Sequence, residues 1–243
     1  MLSKIALNYS PNFTTNKRIK KNIKYLVFHY TGMSSESKAI KRLINVSSKV
    51  SCHYFIKRNG QIILIVPDLY IAWHAGISNW NKDKLLNKNS IGIEISNKGH
   101  QFGYQKYSKA QMLSLINLSR YLIKKYNIKK SNVLGHSDIA FNRKKDPGEK
   151  FQWKLLASKG IGIWHNINHK KLKKFRKHKI CYNDKKKIKN LFKKIGYFTN
   201  NLSSRTYPKL IKSFQRRFRP ELVDGNIDKE CLIIAEKLSK LGS

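Results

Sequence analysis

The sequence predicts an α/β fold, with a mixed central β-sheet flanked by helices, followed by a small C-terminal module of three helices. Two observations predict it. Between about residues 20 and 160, short β-rich runs are interleaved with a long helical pattern, which is typical of an α/β domain. After a stretch dense in lysine, three further segments have helical periodicity.

Length and composition fit one domain with an accessory module. The chain has 243 residues, of which 40% are hydrophobic, and this is enough for a core. No run approaches the roughly 18 apolar residues that a membrane-spanning helix needs. The first residues, MLSKIALNYSPNF, lack the apolar stretch and cleavage site of a signal peptide. We expect residues 1–19 to be an N-terminal extension.

The net charge of +38 would attract polyanions. Lysine, asparagine and isoleucine are abundant together, however, as in a genome biased toward A and T. The basic residues are also spread along the whole chain, which argues against specific nucleic-acid binding. The cysteines, Cys52, Cys181 and Cys231, are widely spaced and resemble neither a disulfide framework nor a thiolate zinc site.

The first half of the domain contains strand patterns. KYLVFHYTG, residues 24–32, predicts a buried strand that runs into a loop. CHYFIKRNGQIILIVP predicts a hairpin, because two β-rich runs flank Asn59-Gly60, a strong turn signal. In IGIEISNKG, alternation places Glu94 on the face opposite Ile93 and Ile95.

The second half begins with a helix. SKAQMLSLINLSRYLIKKYNI has apolar residues at helical spacing, and Ser108 is the expected N-cap. SNVLGHSD then predicts a strand ending at His136. Residues 161–184 have many like charges and few apolar residues, which predicts a basic linker. Residues 185–243 form the helical module, which is too short to carry chemistry and is expected to bind something.

The candidate site centres on the loop GHSDIAFNRKKDPGEKF, residues 135–151. It contains His136, Lys144 and Asp146, while His29 ends the first strand. Active sites are common where strands end in α/β folds. Two histidines and a carboxylate with one position left open are the composition of a catalytic zinc site. Alone, each histidine could be structural, and Asp146 could simply form a turn.

Two further side chains complete the chemistry of a hydrolase. A carboxylate within an apolar strand needs a partner, so Glu94 is expected to contact a zinc-bound water or a nearby lysine. In the first case it would be a general base. Lys144 lies two residues before Asp146, so in an extended segment its ammonium would point the same way. It could then stabilise an oxyanion.

These segments resemble the zinc-dependent N-acetylmuramoyl-L-alanine amidases of the amidase-2 superfamily, which includes the peptidoglycan recognition proteins. The matching motifs, in order, are FHYTG, VSCHYFIKRNGQIILIVPD, IAWHAG, NSIGIEISNKG and GHSDIAFNRKKDPGEKF. They cover about residues 20–160 and are most similar to the AmiD and AmpD branch. In the last motif, Phe141 stands where the family usually has proline. His53 also matches a family position, and we interpret it as a structural residue.

The resemblance implies a set of roles. One zinc ion per chain would be held by His29, His136 and Asp146, with Glu94 as base and Lys144 as oxyanion stabiliser. Family members line the substrate groove at the positions occupied here by Trp73, His74, Asn97 and Arg143. The implied reaction cleaves the amide between the lactyl group of N-acetylmuramic acid and L-alanine, in peptidoglycan or in muropeptides. The alternative is a catalytically inactive peptidoglycan-binding protein.

The tail resembles the peptidoglycan-binding domain type 1, and the combination of this tail with an amidase domain favours the AmiD type. The shared pattern is Phe214-Gln215, then Asp224-Gly225, then Asp228. A wall-binding tail predicts the cell envelope or periplasm as the location. The cytoplasm is the alternative, because the sequence shows no signal peptide.

Overall fold

The computed structural model describes residues 5–241. A six-stranded sheet has the order β1-β5-β4-β9-β3-β10, and two small two-stranded sheets pair β2 with β6 and β7 with β8. The strands are β1 Ala6–Leu7, β2 Phe13–Thr14, β3 Tyr25–Tyr30, β4 Tyr54–Ile56, β5 Ile62–Leu64, β6 Ile71–Ala72, β7 Asn79–Trp80, β8 Asp83–Lys84, β9 Ser90–Ile95 and β10 Val133–Gly135.

The large sheet is mixed, as predicted. The pairs β1–β5, β4–β9, β9–β3 and β3–β10 are parallel. The hairpin β4–β5 is antiparallel, because the chain reverses at Asn59-Gly60. Leu26, Val27 and Phe28 in β3 are fully buried, as expected for a parallel strand covered on both faces.

The helices flank this sheet and form the C-terminal region. They are α1 Glu36–Ile44, α2 Lys109–Tyr126, α3 His136–Ile139, α4 Trp153–Ser158, α5 His169–Lys173, α6 Tyr182–Ile195, α7 Tyr207–Phe218 and α8 Lys229–Ser239, with short 3₁₀ turns at Lys20–Asn22, Val46–Ser48, Leu86–Asn89 and Lys130–Asn132. Between residues 5 and 241, every helix is too short or too polar to traverse a bilayer.

Helix α2 begins at the predicted N-cap. The side chain of Ser108 accepts from Gln111 N–H, and the side chain of Gln111 accepts from Ser108 N–H, which forms a capping box. The amide of Gln111 also donates to the carbonyl of Ser96 at 2.7 Å. The start of α2 is therefore fixed to the end of β9.

The central parallel strands bring the candidate residues to one edge of the sheet. His29 in β3 is in register with Glu94 in β9. On the other side of β3, Gly135 in β10 pairs with Phe28, and the chain continues directly into His136. The predicted strand ends one residue earlier than expected, because His136 opens α3. Its side chain nevertheless lies beside that of His29.

The segment expected to precede the domain contributes to the sheet. β1 pairs with β5 as an edge strand, although it is only two residues long. The guanidinium of Arg18 is buried and donates to the carbonyls of Asp68 and Ser90. Residues 1–4 of the expected extension, and residues 242 and 243 of the expected module, lie outside the described residues.

The stretch predicted as a basic linker is only partly solvated. Ile161, Trp164 and Leu172 are buried in the main hydrophobic core, while the lysines between them are exposed. These few apolar side chains are enough to hold the stretch against the protein. They are too sparse among the many lysines to change its overall composition, so composition alone predicts a solvated linker. The boundaries of the domains stay predictions.

The FQ…DG pattern of the tail forms an internal contact. Gln215 is fully buried, and its amide donates to Asp224 Oδ1 at 2.9 Å and accepts from Gly225 N–H at 2.8 Å. Asp228 caps α8 by accepting from Cys231 N–H. These residues fold the turn between α7 and α8.

Helix α7 is bonded to the segment that carries His136. Arg217 donates to Asp138 Oδ2 at 2.6 Å and to the carbonyl of Val133 at 2.8 Å. Tyr197, just after α6, donates to Asp138 Oδ1, and Ser213 donates to the carbonyl of Ser137. Arg217 and Asp138 are 2% and 1% exposed, so the ion pair lies within the protein interior.

We predict that Arg217→Met destabilises the protein by about 3–5 kcal/mol, because it leaves the Asp138 carboxylate buried without its cation. Urea unfolding would measure the change. Lys187→Met is the matched control, since Lys187 pairs with Glu236 between two helices at the surface, and exposed pairs contribute little. Equal stability of the two variants would contradict a structural role for the buried pair.

Candidate metal centre

Three donor atoms converge at the edge of the sheet. His29 Nδ1 lies 2.9 Å from His136 Nδ1, and Asp146 Oδ2 lies 3.1 Å from each of these nitrogens. All three residues are buried, and together they form a group of suitable size for a metal ion. The structure therefore brings together the three side chains predicted as ligands.

The loop between His136 and Asp146 closes on itself. Ser137 N–H donates to the carbonyl of Asp146 at 2.8 Å. Lys144 N–H donates to the carbonyl of Ala140 at 3.0 Å, which forms a turn between the two ligands. Phe141 is half-buried in this turn and packs against the core. The carboxylate thus returns to the histidine ten positions earlier in the chain.

The hydrogen bonding of His136 fits a cation at this point. Its Nε2 lies 3.1 Å from the carbonyl of Ala75, which can only accept, so Nε2 carries the hydrogen. The Nδ1 of a neutral His136 is then an acceptor that faces the Asp146 carboxylate. Two buried acceptors in contact repel each other unless a cation lies between them. The residues present therefore fit a bound metal.

Electrostatics favour the forms that bind metal. Burial lowers the pKa of His29 to about 4, with a further contribution from His136, so His29 is neutral at pH 7. Burial alone would raise the pKa of Asp146, but the two histidines hold it far below its ordinary value. Neutral imidazole and ionised carboxylate are the forms that coordinate metals.

Glu94 lies beside this group with a free oxygen. Its Oε2 is shielded from solvent, and no described residue hydrogen-bonds to it. Burial, and then the charge of Asp146, raise its pKa to about 8, while Lys144 opposes the shift. An unpartnered carboxylate oxygen in an otherwise apolar strand indicates a ligand contact rather than a structural one.

A cleft of about 790 Å³ opens above the three donors. Glu94 and Lys144 line it together with the donors, so all five core residues of the predicted site meet there. The cationic side chains that line it are Arg42, Arg143, Lys144 and Lys145, whereas its acidic ones are Glu94 and Asp146. The rim is therefore suited to an anionic ligand.

The four residues predicted to contact substrate have different surroundings. Trp73 and Arg143 line the cleft, but Arg143 also donates to the carbonyls of Ala75 and Ile77. His74 lines it as well, with Nδ1 3.0 Å from His29 Nε2. Asn97 is buried, and its amide holds the following loop by donating to the carbonyl of Gln105.

Other residues of the cleft were not predicted from the sequence. Met33, Arg42, His100 and Phe102 line it. Arg42 lies on α1, whose N-cap Ser35 accepts from Lys38 N–H. The run SSESKAIKRLI, with a serine before a helical pattern, is a signal that could have revealed this helix. His100 and Phe102 lie in a loop and have no comparable signal.

Residues 19–149 match the model of the amidase-2 family, N-acetylmuramoyl-L-alanine amidase. The chain is also 36% identical, over 89% of its length and 82% of the relative's, to N-acetylmuramoyl-L-alanine amidase AmiD of Escherichia coli strain K12. The chain belongs to the amidase-2 family. This confirms the family and the enzyme class predicted from the motifs.

Known relatives of the amidase extend the likeness to structure. AmiD from E. coli, solved with the substrate anhydro-N-acetylmuramic acid-L-Ala-D-gamma-Glu-L-Lys, has a TM-score of 0.79 at 33% identity, covering 90% of each chain. AMPDH3 from Pseudomonas aeruginosa, solved with anhydromuramic pentapeptide, also scores 0.79, at 30% identity, covering 95% of this chain and 96% of that one. The fold prediction is therefore confirmed.

A further relative matches a smaller share of the chain. The 1,6-anhydro-N-acetylmuramyl-L-alanine amidase AmpD of E. coli strain K12 is 40% identical over 114 residues, which are 46% of this chain and 60% of AmpD. AmiD, in contrast, is matched across most of the chain. The similarity to AmiD thus includes much of the C-terminal region.

Proposed function

We propose that the amidase hydrolyses the amide bond between the lactyl group of N-acetylmuramic acid and L-alanine, in muropeptides and peptidoglycan, with one zinc ion held by His29, His136 and Asp146. The observation that carries this proposal is the convergence of three buried metal donors with Glu94 and Lys144 in one cleft. The similarity to AmiD and AMPDH3, each solved with an anhydromuramyl peptide, supports the substrate class.

Zinc is the proposed metal because two imidazole nitrogens and one carboxylate oxygen are a donor set of catalytic zinc sites, which keep a position open. When bound, zinc supplies Lewis acidity, which activates water and polarises the scissile carbonyl. The cleft above the donors provides the access that substrate and water require.

Glu94 is the proposed general base and acid. A metal cation beside Glu94 would favour its ionised form, whose unpartnered Oε2 accepts a proton from the attacking water as the new C–O bond forms. When the C–N bond breaks, the same carboxyl group returns the proton to the amine of L-alanine. Water is consumed, and the products are a free stem peptide and a muramic acid carboxylate.

Lys144 and the cationic residues at the rim of the cleft are proposed to interact with negative charge on the substrate. The ammonium of Lys144 lines the same cleft and would stabilise the negative charge that develops on the carbonyl oxygen. Arg42 and Lys145 would attract the carboxylates of a stem peptide. Contact with the substrate stays a prediction for Trp73, His74, Asn97 and Arg143.

The experiment that tests this function is product analysis. The zinc-loaded protein is incubated with anhydro-N-acetylmuramyl-L-Ala-D-γ-Glu-L-Lys and, separately, with intact sacculi, and the products are identified by mass spectrometry. We expect free tripeptide together with anhydro-N-acetylmuramic acid. Binding of the muropeptide without any cleavage would instead favour the inactive recognition protein. The ratio of the two rates gives the preference between small and polymeric substrate.

We further propose the division of labour predicted from the sequence. Residues 20–160 would carry the chemistry, residues 161–184 would connect, and residues 185–243 would contact peptidoglycan in the cell envelope. The family match covers residues 19–149 and ends before the helical region, which supports this division. Co-sedimentation of the metal-free protein with sacculi tests the contact, and fractionation of cells distinguishes the envelope from the cytoplasm.

A further inference from the structure

His74 contacts a proposed metal ligand rather than only the cleft. Its Nδ1 lies 3.0 Å from Nε2 of His29, on the side of that ring away from the donor group. One hydrogen lies between these two nitrogens. If it belongs to His29 Nε2, then Nδ1 of His29 has a free lone pair for the metal. If it belongs to His74, then Nδ1 of a neutral His29 is protonated and blocked.

The position of this hydrogen follows from a chain of bonds that ends at a backbone carbonyl. Ser90 Oγ lies 2.5 Å from the carbonyl oxygen of Leu86, which can only accept, so the hydroxyl hydrogen points there. Ser90 Oγ also lies 3.1 Å from Nε2 of His74. Having donated its single hydrogen, the hydroxyl accepts at this contact. The hydrogen of a neutral His74 is therefore on Nε2.

Nδ1 of His74 is then an acceptor, and His29 Nε2–H donates to it. This leaves His29 Nδ1 as a lone-pair donor directed at His136 and Asp146. The arrangement parallels that of His136, whose Nε2–H donates to the carbonyl of Ala75. Two consecutive residues, 74 and 75, thus orient both histidines of the donor group.

The ring of His74 has little freedom to leave this position. A Cβ added at Gly92, in β9, would lie 2.4 Å from Cγ of His74, so the ring packs directly on the glycine backbone. Asn87 Oδ1 accepts from the backbone N–H groups of His74 and Ala75, at 3.1 and 2.7 Å. Both the ring and its backbone are therefore fixed before any metal binds.

We propose that His74 is a positioning residue of the metal centre: it accepts the hydrogen bond that holds His29 in the Nε2–H tautomer, with its own orientation imposed by Ser90, Leu86 and Gly92. The inference rests on the proposed function in taking zinc as the metal. It assigns His74 a role through His29, in addition to any contact with substrate.

Zinc affinity, measured by competition with a chromogenic chelator, tests this role without recourse to activity. His74→Leu should weaken zinc binding by roughly 10–100-fold, as the loss of such outer partners does. His74→Asn should recover most of the affinity, because Oδ1 of asparagine takes the place of Nδ1 as acceptor. His100→Leu is the matched control, because His100 lines the same cleft but bonds to Tyr30 and Glu149. The zinc affinity of this control variant should equal that of the unmodified protein.

A spectroscopic measurement accompanies it. Long-range ¹H–¹⁵N spectra of the zinc-loaded protein should show His74 as the Nε2–H tautomer, and Ser90→Ala should mix the two tautomers of His74. This variant also keeps the test decisive if His74→Leu does not fold. The inference is overturned if His74→Leu binds zinc within about threefold of the unmodified protein, or if His74 is the Nδ1–H tautomer in the zinc-loaded protein. If the unmodified protein binds no zinc, the proposed function itself fails.

Discussion

Glu94→Gln should lower the rate of muropeptide cleavage by roughly 10²–10⁴-fold and leave zinc affinity unchanged. Glutamine has nearly the same shape as glutamate, but its amide cannot accept a proton from water at neutral pH. Oε2 of Glu94 has no hydrogen-bond partner among the described residues, so the substitution breaks no structural bond there. Rates at saturating substrate and zinc content of the purified variant would both be measured.

The control for this substitution is Glu149→Gln. Glu149 is a neighbouring carboxylate that pairs with His100 and does not line the cleft. The Glu149→Gln substitution replaces a carboxylate by an amide without removing the proposed base, so the rate of muropeptide cleavage should change little. A near-normal rate in Glu94→Gln would refute the role as base. Loss of zinc together with activity would show that Glu94 belongs to the metal centre instead.

Exhaustive chelation should abolish cleavage, and added zinc should restore it where added magnesium does not. Two of the three donor atoms are imidazole nitrogens, which suit zinc, whereas magnesium requires oxygen ligands. The thermal unfolding temperature should rise with zinc as well. At a free zinc concentration of 100 times the dissociation constant, binding adds about 2.7 kcal/mol to the free energy of unfolding.

Calorimetry of the metal-free and zinc-loaded forms provides the second readout, independent of turnover. Cleavage at the full rate by protein shown to be free of metal would contradict the zinc mechanism. Restoration by magnesium alone would retain a metal mechanism and change the metal.

The sequence was sufficient for the parts of the fold that have strong periodicity. The strands around His29 and Glu94 and the helix capped by Ser108 are regular, and the structure has them within a few residues of the prediction. It also predicted that His29, His136 and Asp146 meet, since strand ends and a Pro-Gly turn limit where those side chains can lie. The structure brings these atoms to about 3 Å.

Other features depend on partners distant in sequence. β1 has only two residues, and its place in the sheet follows from pairing with Ile63 and Leu64, far along the chain. Arg143 looks like a substrate residue in its motif, but its guanidinium bonds to carbonyls near residue 75. The direction of a hydrogen bond, as between His29 and His74, has no sequence pattern. Such details emerge only from three-dimensional packing.

The bonds between α7 and the His136 segment limit how this architecture can be recombined. A tail grafted from this chain onto another catalytic domain would carry Arg217 and Ser213 without Asp138 and the Ser137 carbonyl that receive their hydrogens. The guanidinium of Arg217 would then be buried without an anionic partner, unless the new domain supplied one or left Arg217 exposed to solvent. Helix α7 and the segment that carries His136 therefore cannot be exchanged independently. A stable chimera must include both partners of these hydrogen bonds.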